Sequence, residues 1–566
     1  MKLRELKISH LRCIEAELTV KIDNIVVLIG SNNVGKSTII YAYQLFSGTG
    51  PSLTIQDFHN HNFEKPVSIT GIFSDLLQED IEKIGKKWVF QHHEYGNAIK
   101  YKWEWHAPDT KGEKHSWDED STSWIKGGMG GWDSKIASCL PIPLIISPYE
   151  DPLSLESKII EILTSAIKDN IQSDESKLNE LIKQFEDIAH HVHTQIATSL
   201  EHTTNSAQET LQQIFPKHSI SIELKAGKIE PEKVIATGSQ LHVTDPEGTK
   251  IPLCKQGTGL QRAFLWSAVS ALSNSGNYKI AKKSTDANAP RILIIEEPEI
   301  FLHPPAIRAA RESLYQISTL DNWQVLITTH SPIFIDVSKA HTTIIRIAKN
   351  SDGGRKIFST DDVTFNEDER KRLQMIRSCH PTVNEFFFSE NIILVEGDTE
   401  VALFNKILAE KDISNKYQIV NCYGKANIPM FQKILNHFDL KYIVIHDVDS
   451  PKVRTKESYK RNSMWSINST IFNEAKDNLI IAHAPNLEQE YFGMLVKGDK
   501  PFNAIQMLED EEFKKTSKYK SLLNFFSLIE NKTHPGIIKH VDDYKIIIDN
   551  YVANNSIDDH KLWSHE

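Results

Sequence analysis

The stretch VVLIGSNNVGKSTII (residues 26–40) constrains the fold more than any other part of the chain. An apolar run ends at Ile29, a glycine-bounded turn follows, and a helical pattern begins at Lys36. A strand that runs into a tight turn and then a helix is the building unit of an α/β sheet. Gly30, Gly35, Lys36 and Ser37 fill the pattern GxxxxGK[ST], with Asn33 inside the turn and Thr38 just beyond it. Backbone N–H groups of such a turn point at phosphate oxygens, and the helix N-terminus adds positive potential. Lys36 is placed to reach the outer phosphates and Ser37 to hold Mg²⁺. The segment therefore predicts a site for ATP with Mg²⁺.

Three later segments extend that reading. ILIIEEPEIFLHP (292–304) is a second buried strand, which delivers Glu296 toward Mg²⁺ and Glu297 toward an attacking water. ITTHSP (327–332) puts His330 at a strand tip, within reach of a γ-phosphate. KQGTGLQRAF (255–264) offers backbone N–H groups around Gly257 and Gly259 at a helix start. This last segment resembles the signature of the ABC-type ATPases, in the branch that contains the SMC proteins, with QGTGLQ in place of the usual LSGGQ. In that branch the signature of one subunit closes over the nucleotide of another. The resemblance thus implies a head that dimerises around two ATP molecules.

Length and composition set the frame. A chain of 566 residues predicts roughly two to four domains. No run of about 18 apolar residues occurs, so no membrane span is expected. The start, MKLRELKISHLR, lacks the apolar core of a signal peptide. The five cysteines are scattered without a CxxC pair, which argues against zinc and disulfides and fits a cytoplasmic protein. A formal net charge of −11 means that any nucleic-acid contact must come from a local basic surface. Residues 85–135, rich in tryptophan and glycine turns, read as β-hairpins. From Asp151 to about Phe215, apolar residues recur at three- and four-residue steps (Ile160, Leu163, Ile167, Ile171; Leu178, Ile182, Phe185, Ile188, Val192, Ile196), predicting amphipathic helices. These are either an arm that makes a dimer contact or helices packed on their own domain.

A second chemical centre lies downstream. NIILVEGDTEVALF (391–404) is a buried strand ending in Glu396, with Glu400 in the first turn of the helix that follows. KYIVIHDVDS (441–450) is another strand, ending in Asp447 and Asp449, which alternation would project to the same side. If the two strands are neighbours, the carboxylates converge and repel unless divalent cations neutralise them. Hard oxygen ligands favour Mg²⁺ or Mn²⁺, and a pair of such ions can drive phosphodiester cleavage.

A strand-end Glu-Gly followed by a DxD resembles a Toprim domain, the metal-binding fold of topoisomerases, primases and certain nucleases. NCYGKANIP (421–429) resembles a Gly-Lys loop of its nuclease branch, where Lys425 meets a phosphate or is simply a surface lysine. The motif order over nearly the whole chain resembles the OLD family of ATP-dependent nucleases, to which the Gabija nuclease subunit and retron-associated effectors belong. The fold so implied is α/β: an ABC-type ATPase head of mixed sheets, a helical insertion and a C-terminal Toprim domain with a parallel sheet. Boundaries are expected at 1–150, 151–215 (dimerisation), 216–380 and 388–566. The resemblance implies a further acid and a lysine, for which Glu488 and Lys500 are taken, with Glu490, Lys518 and Lys539 as competitors.

SPKVRTKESYKRN (450–462) carries five cations against one Glu, and is read either as a DNA-phosphate approach or as a solvated loop. The implied activity is a nucleotide-regulated, metal-dependent DNA endonuclease or nickase in antiphage defence. The alternative is an ATP-switched DNA clamp or sensor that does not cut. A homodimer or higher homo-oligomer is expected. A helicase, a retron reverse transcriptase with its DNA, or no second protein remain open as partners.

Overall fold

Among the described residues, apolar runs such as Ile25–Ile29, Arg291–Glu296 and Ile392–Val395 become buried strands. The computed structural model describes residues 1–48, 50–127, 139–147, 240–244, 247–262, 290–336, 342–349, 354–360, 383–389, 391–456, 458–493 and 498–555, with shorter stretches among and after them. The predicted helices over Leu163–Ile196 lie outside the described residues, as does Trp132. The chain divides into two units. One holds Met1–Lys2, Phe73–Ile99 and Trp117–Val325; the other holds Leu3–Ile72, Lys100–Ser116 and Leu326–Glu566. Among the described residues no helix is long and apolar enough to cross a membrane.

In the first unit, Arg291–Glu296 pairs in parallel with Ile142–Ile146, Ile294 opposite Ile145. The helix Pro304–Ser318 follows, started by Pro304 at a position whose N–H would be unbonded anyway. It buries Ala310, Leu314 and Ile317. The tryptophan-rich region, which is divided between the two units, forms strands as expected, including Phe90–His92, Gly96–Trp105, Glu113–Asp118 and Ser123–Lys126.

In the second unit, the strand Ile25–Ile29 is buried at every position and runs parallel to Thr342–Lys349, Leu28 opposite Ile345. Strands covered on both faces read as unbroken apolar runs, which is why VVLI carries no alternation. Thr342–Lys349 in turn pairs antiparallel with Arg355–Ser359.

The C-terminal part of the same unit is a five-stranded sheet in the order Gln418–Asn421, Ile392–Val395, Tyr442–Asp447, Leu479–His483, Ile537–Ile538. The first three pairings are parallel and the last is antiparallel. Alternate residues of each strand enter different cores. Ile392, Leu394, Val444 and Ile480 face one core, with helix Ile428–His437. Ile393, Val395, Ile445 and Ile481 face another, with Asp398–Glu410 and Lys500–Glu509. The first core also contains Val27, Ile29, Ile335 and Ile344. Phe386 and Phe387, on the short helical turn Val383–Phe388, join it, with Phe387 edge-on to Phe438 at 5.0 Å. Each fully buried side chain of this size contributes about 1.5–3 kcal/mol relative to exposure.

Candidate functional site

The parallel register of Ile392–Val395 with Tyr442–Asp447 sets Leu394 opposite Val444 and brings the two strand ends side by side. The Asp447 backbone N–H donates to Glu396 Oε1 at 2.7 Å, so the Glu396 carboxylate reaches the backbone of the neighbouring strand tip. Glu400 lies in the first turn of Asp398–Glu410, where its Oε2 accepts the Gly397 N–H at 3.1 Å and caps the helix. Asp447 Oδ1 accepts the Leu487 N–H at 2.9 Å, which ties the strand tip to the helix Leu487–Phe492. Glu488 on that helix pairs with Lys500 Nζ at 3.0 Å. The field at Lys500 comes from Glu488, Asp447 and Glu400. Glu396, Glu400, Asp447, Glu488 and Lys500 therefore form one cluster.

Glu490, the competitor of Glu488, turns away: its Oε2 accepts from His483 Nδ1–H and from Ala484 N–H, both at 3.1 Å. Two positions along a helix differ by about 200° in direction, so neighbouring acids cannot both face the cluster. Of the competing lysines, Lys518 lies near Gly493, while the Lys539 backbone N–H bonds Asp543.

Two expectations are corrected. The strand stops at Asp447, and Asp449 takes a left-handed backbone with φ 64°, so Asp447 and Asp449 are not projected by strand alternation. The Asp449 carboxylate instead pairs with Lys425 Nζ at 2.7 Å. Lys425 is not on the surface: it is 3 % exposed, and its ammonium also donates to Asp447 O and Val448 O. It acts as an internal cation under the DxD turn. Gly424, with φ 115°, makes the bend that sends it inward.

Burial dominates the electrostatics. It raises the Glu396 carboxyl to about 7, against the pull of Lys425 and with Glu400 and Asp449 adding to the rise. Burial also raises Glu400, with Glu488 contributing, and raises Asp447 strongly, with Glu396 and Glu400 contributing. Burial would lift Glu490 as well, but His483 and the Ala484 N–H more than offset it and hold that acid below its usual range. Behind the cluster, burial keeps His446 neutral; its Nδ1–H donates to Asp447 O at 2.8 Å and its Nε2 accepts from Tyr544 OH at 3.0 Å.

Among the described residues, no three His, Cys, Asp or Glu side chains are disposed to grip one cation together. Each acid spends an oxygen on a backbone N–H or a lysine. The donor set nonetheless fits Mg²⁺ or Mn²⁺. It is all hard oxygen, and buried carboxylates held up toward neutrality would lose their protons to a divalent ion that supplied the missing positive field.

The glycine-bounded turn starts the helix Lys36–Ser47. At Gly30, with φ 145°, a Cβ would lie 2.5 Å from Ile347 O; at Gly35, with φ 118°, it would lie 2.9 Å from Cys13 Sγ. Only glycine fits either place. Lys36 is buried along the turn, its Nζ donating to Gly30 O at 2.8 Å and Ser31 O at 2.9 Å. Asn33 is exposed with φ 61°, Ser37 is exposed at the helix start, and Thr38 is buried with Oγ1 3.6 Å from Cys13 Sγ. Arg355 Nε–H bonds Val34 O at 2.9 Å, bracing the turn from outside. His330 is exposed after its strand, its ring 6.1 Å from that of Phe388.

In the first unit, Glu296 closes its strand and Glu297 follows with φ 48°. Gly259 packs against the loop after them; a Cβ there would lie 2.7 Å from Phe301 O. Gly257 O accepts the Leu260 and Gln261 N–H groups and so begins the helical turn. Sequence reading missed Lys425 as a partner of the acids, and missed the support given by Leu487, His446 and Arg355.

Residues 1–123 and 149–335, more than half of the chain, match the family model of the AAA ATPase domain. Residues 387–449 match the model of the overcoming lysogenization defect protein-like Toprim domain. The chain is 24% identical over 537 residues to the Old nuclease of Escherichia phage P2, covering 89% of this chain and 85% of that protein. It is 23% identical over 536 residues to the OLD nuclease of Thermus scotoductus, covering 90% and 95%. It is 22% identical over 479 residues to the endonuclease GajA of Bacillus cereus strain VD045, covering 81% and 76%. The chain belongs to the AAA ATPase domain family and carries an overcoming-lysogenization-defect-like Toprim domain in the same polypeptide.

Proposed function

We propose that this chain is a nucleotide-regulated, divalent-metal-dependent DNA endonuclease or nickase, acting in antiphage defence as a homodimer or higher homo-oligomer. The observation that carries the reading is the direct bond from Asp447 N–H to Glu396 Oε1, which joins the Glu396 carboxylate to the neighbouring strand tip inside a cluster with Glu400, Glu488 and Lys500. Nuclease names among the relatives, over most of their lengths, support it.

Glu396, Glu400, Asp447, Asp449 and Glu488 are assigned as the groups that hold Mg²⁺ or Mn²⁺. When bound, such ions activate a water and stabilise the leaving oxygen of a phosphodiester. Lys425 keeps the DxD turn in place from below. Lys500, half-exposed beside Glu488, is free on its outer side to donate to a phosphate oxygen as charge builds there. Gly30, Asn33, Gly35, Lys36, Ser37 and Thr38 are assigned to ATP, with Glu296, Glu297, His330, Gly257 and Gly259 in Mg²⁺-binding, water-orienting, sensing and signature roles.

The test is supercoiled plasmid incubated with Mg²⁺ or Mn²⁺, with and without ATP. Asp447→Ala is expected to lower cutting at least a hundredfold. Lys36→Ala is expected to leave cutting measurable and to erase its response to ATP. Full activity in Asp447→Ala, or no cutting by the parent chain with either ion, overturns the reading; the latter with DNA binding intact leaves an ATP-switched clamp.

A further inference from the structure

The segment after the DxD does not fold as a loose loop. Lys452–Arg454 and Tyr459–Arg461 form an antiparallel ribbon, Lys452 opposite Arg461 and Arg454 opposite Tyr459. Its root closes on itself directly after Asp449. Ser450, adjacent to Asp449, donates its hydroxyl to Lys452 O at 2.8 Å; Asn462 donates its side-chain amide to Ser450 O at 2.8 Å and its backbone N–H to Pro451 O at 2.9 Å. Its flank is braced by the C-terminal segment, through Tyr459 OH to Asp559 at 2.8 and 2.9 Å and Lys452 Nζ to Ser564 Oγ at 3.4 Å.

Among the described residues, the exposed cations of this ribbon, Arg454, Lys456, Lys460 and Arg461, meet no carboxylate. The segment's own acid, Glu457, lies outside the described residues. Like charges directly opposite each other, as at Lys452 and Arg461, destabilise a strand pair. In a chain of net charge −11, such a cluster is a local exception that an outside anion would relieve.

We propose that the ribbon Lys452–Arg461 is a phosphate-backbone contact for the DNA substrate that fixes how the duplex lies beyond the scissile bond. The proposal rests on the nuclease reading above and adds a place and a direction to it. Extended strand covers about 3.3 Å per residue, so the three paired positions Lys452–Arg454 span roughly 7 Å, or about two base-pair steps of 3.4 Å. A contact to phosphate oxygens carries no sequence information of its own, so the proposed contact is sequence-independent.

Binding of a labelled duplex is measured against salt, and cleavage against duplex concentration, for the full-length protein, for Arg454→Ala/Lys460→Ala/Arg461→Ala and for Lys460→Glu. Each lost phosphate contact flattens the slope of log K against log salt by about 0.9, so the triple variant is expected to lose up to about 2.7 of it. KM is expected to rise at least tenfold with the saturating rate within threefold. Should the triple variant fail to fold, the single exposed Lys460→Glu decides between the outcomes, with a smaller change of the same sign expected. Unchanged slope and KM in a folded variant overturn the ribbon while active parent protein keeps the nuclease reading. A parent protein that neither binds nor cuts duplex overturns both.

Discussion

Glu396 shows how one buried side chain ties pH to metal. Burial raises its carboxyl to about 7, whereas the same group in the unfolded chain titrates near 4.5. Between those values the folded state holds a proton that the unfolded state has lost. Stability supplied by that proton is therefore full at low pH and declines as pH rises through about 7. Asp447 is shifted in the same direction. His534 opposes them, because burial lowers it to about 4 and favours the folded state as pH rises through the acid range. The difference between parent and Glu396→Gln isolates the acid. In metal-free buffer the parent's melting temperature is expected to drop relative to the variant's from pH 5 to pH 8. Added Mg²⁺ should raise the parent's melting temperature more at pH 8 than at pH 5, by replacing protons already lost. A parent-minus-variant difference that grows with pH in metal-free buffer contradicts the burial of Glu396.

Between elements, the decisive contact is Lys425, which staples the turn before the helix Ile428–His437 to the end of Tyr442–Asp447. The partner of this lysine is 24 residues away, and the bend depends on Gly424, so no local pattern announced it. The strand tips were legible because an unbroken apolar run that stops at an acid has only one economical reading: a covered parallel strand. Asp449 was misread because alternation holds only while the strand continues, and this strand ends two residues earlier. At the level of sequence, the preference for Glu488 over Glu490 rests on the resemblance alone, since the choice depends on which side of a short helix meets Lys500. The ribbon's Val453 and Tyr459 around a polar turn were a hairpin signal outweighed by the surrounding charge. Lys425→Met removes the buried charge and leaves the Asp449 carboxylate without its cation, while Asp447 O keeps His446 and Val448 O keeps Asn468 as donors. Losing one partner of a buried pair costs on the order of 3 kcal/mol, less here because Asp449 is partly exposed. Urea unfolding is expected to show a loss of about 2 kcal/mol, reduced when Asp449→Asn is combined with it. A loss below about 0.5 kcal/mol, typical of exposed pairs, contradicts the internal role.

At the scale of the second unit, the strand before the phosphate turn and the Toprim sheet share one core: Val27, Ile29 and Ile344 lie in the same cluster as Ile392, Val444 and Phe431. Polar bonds follow the same route. Arg346 Nη1 donates to Phe438 O at 2.7 Å, and His437 Nε2–H donates to Ser359 O at 2.6 Å. These residues end the helix that begins just after Lys425. At its other end the strand pair Thr342–Lys349 and Arg355–Ser359 touches the phosphate turn, through Arg355 Nε–H to Val34 O and through Ile347 O against Gly30. A close-packed core has few intermediate arrangements, and these contacts run without a break from the turn to the helix that follows Lys425. On the proposed reading, this strand pair carries the ATP response of cutting. Couplings of this kind amount to about 1–3 kcal/mol, and one contact carries only part. Arg355→Ala is expected to bring the ratio of cutting with ATP to cutting without it at least threefold closer to one. Nucleotide-free cutting should stay within twofold and ATP binding within fivefold. If the ratio is unchanged while Lys36→Ala abolishes it, the signal travels by another route and the shared core serves stability alone.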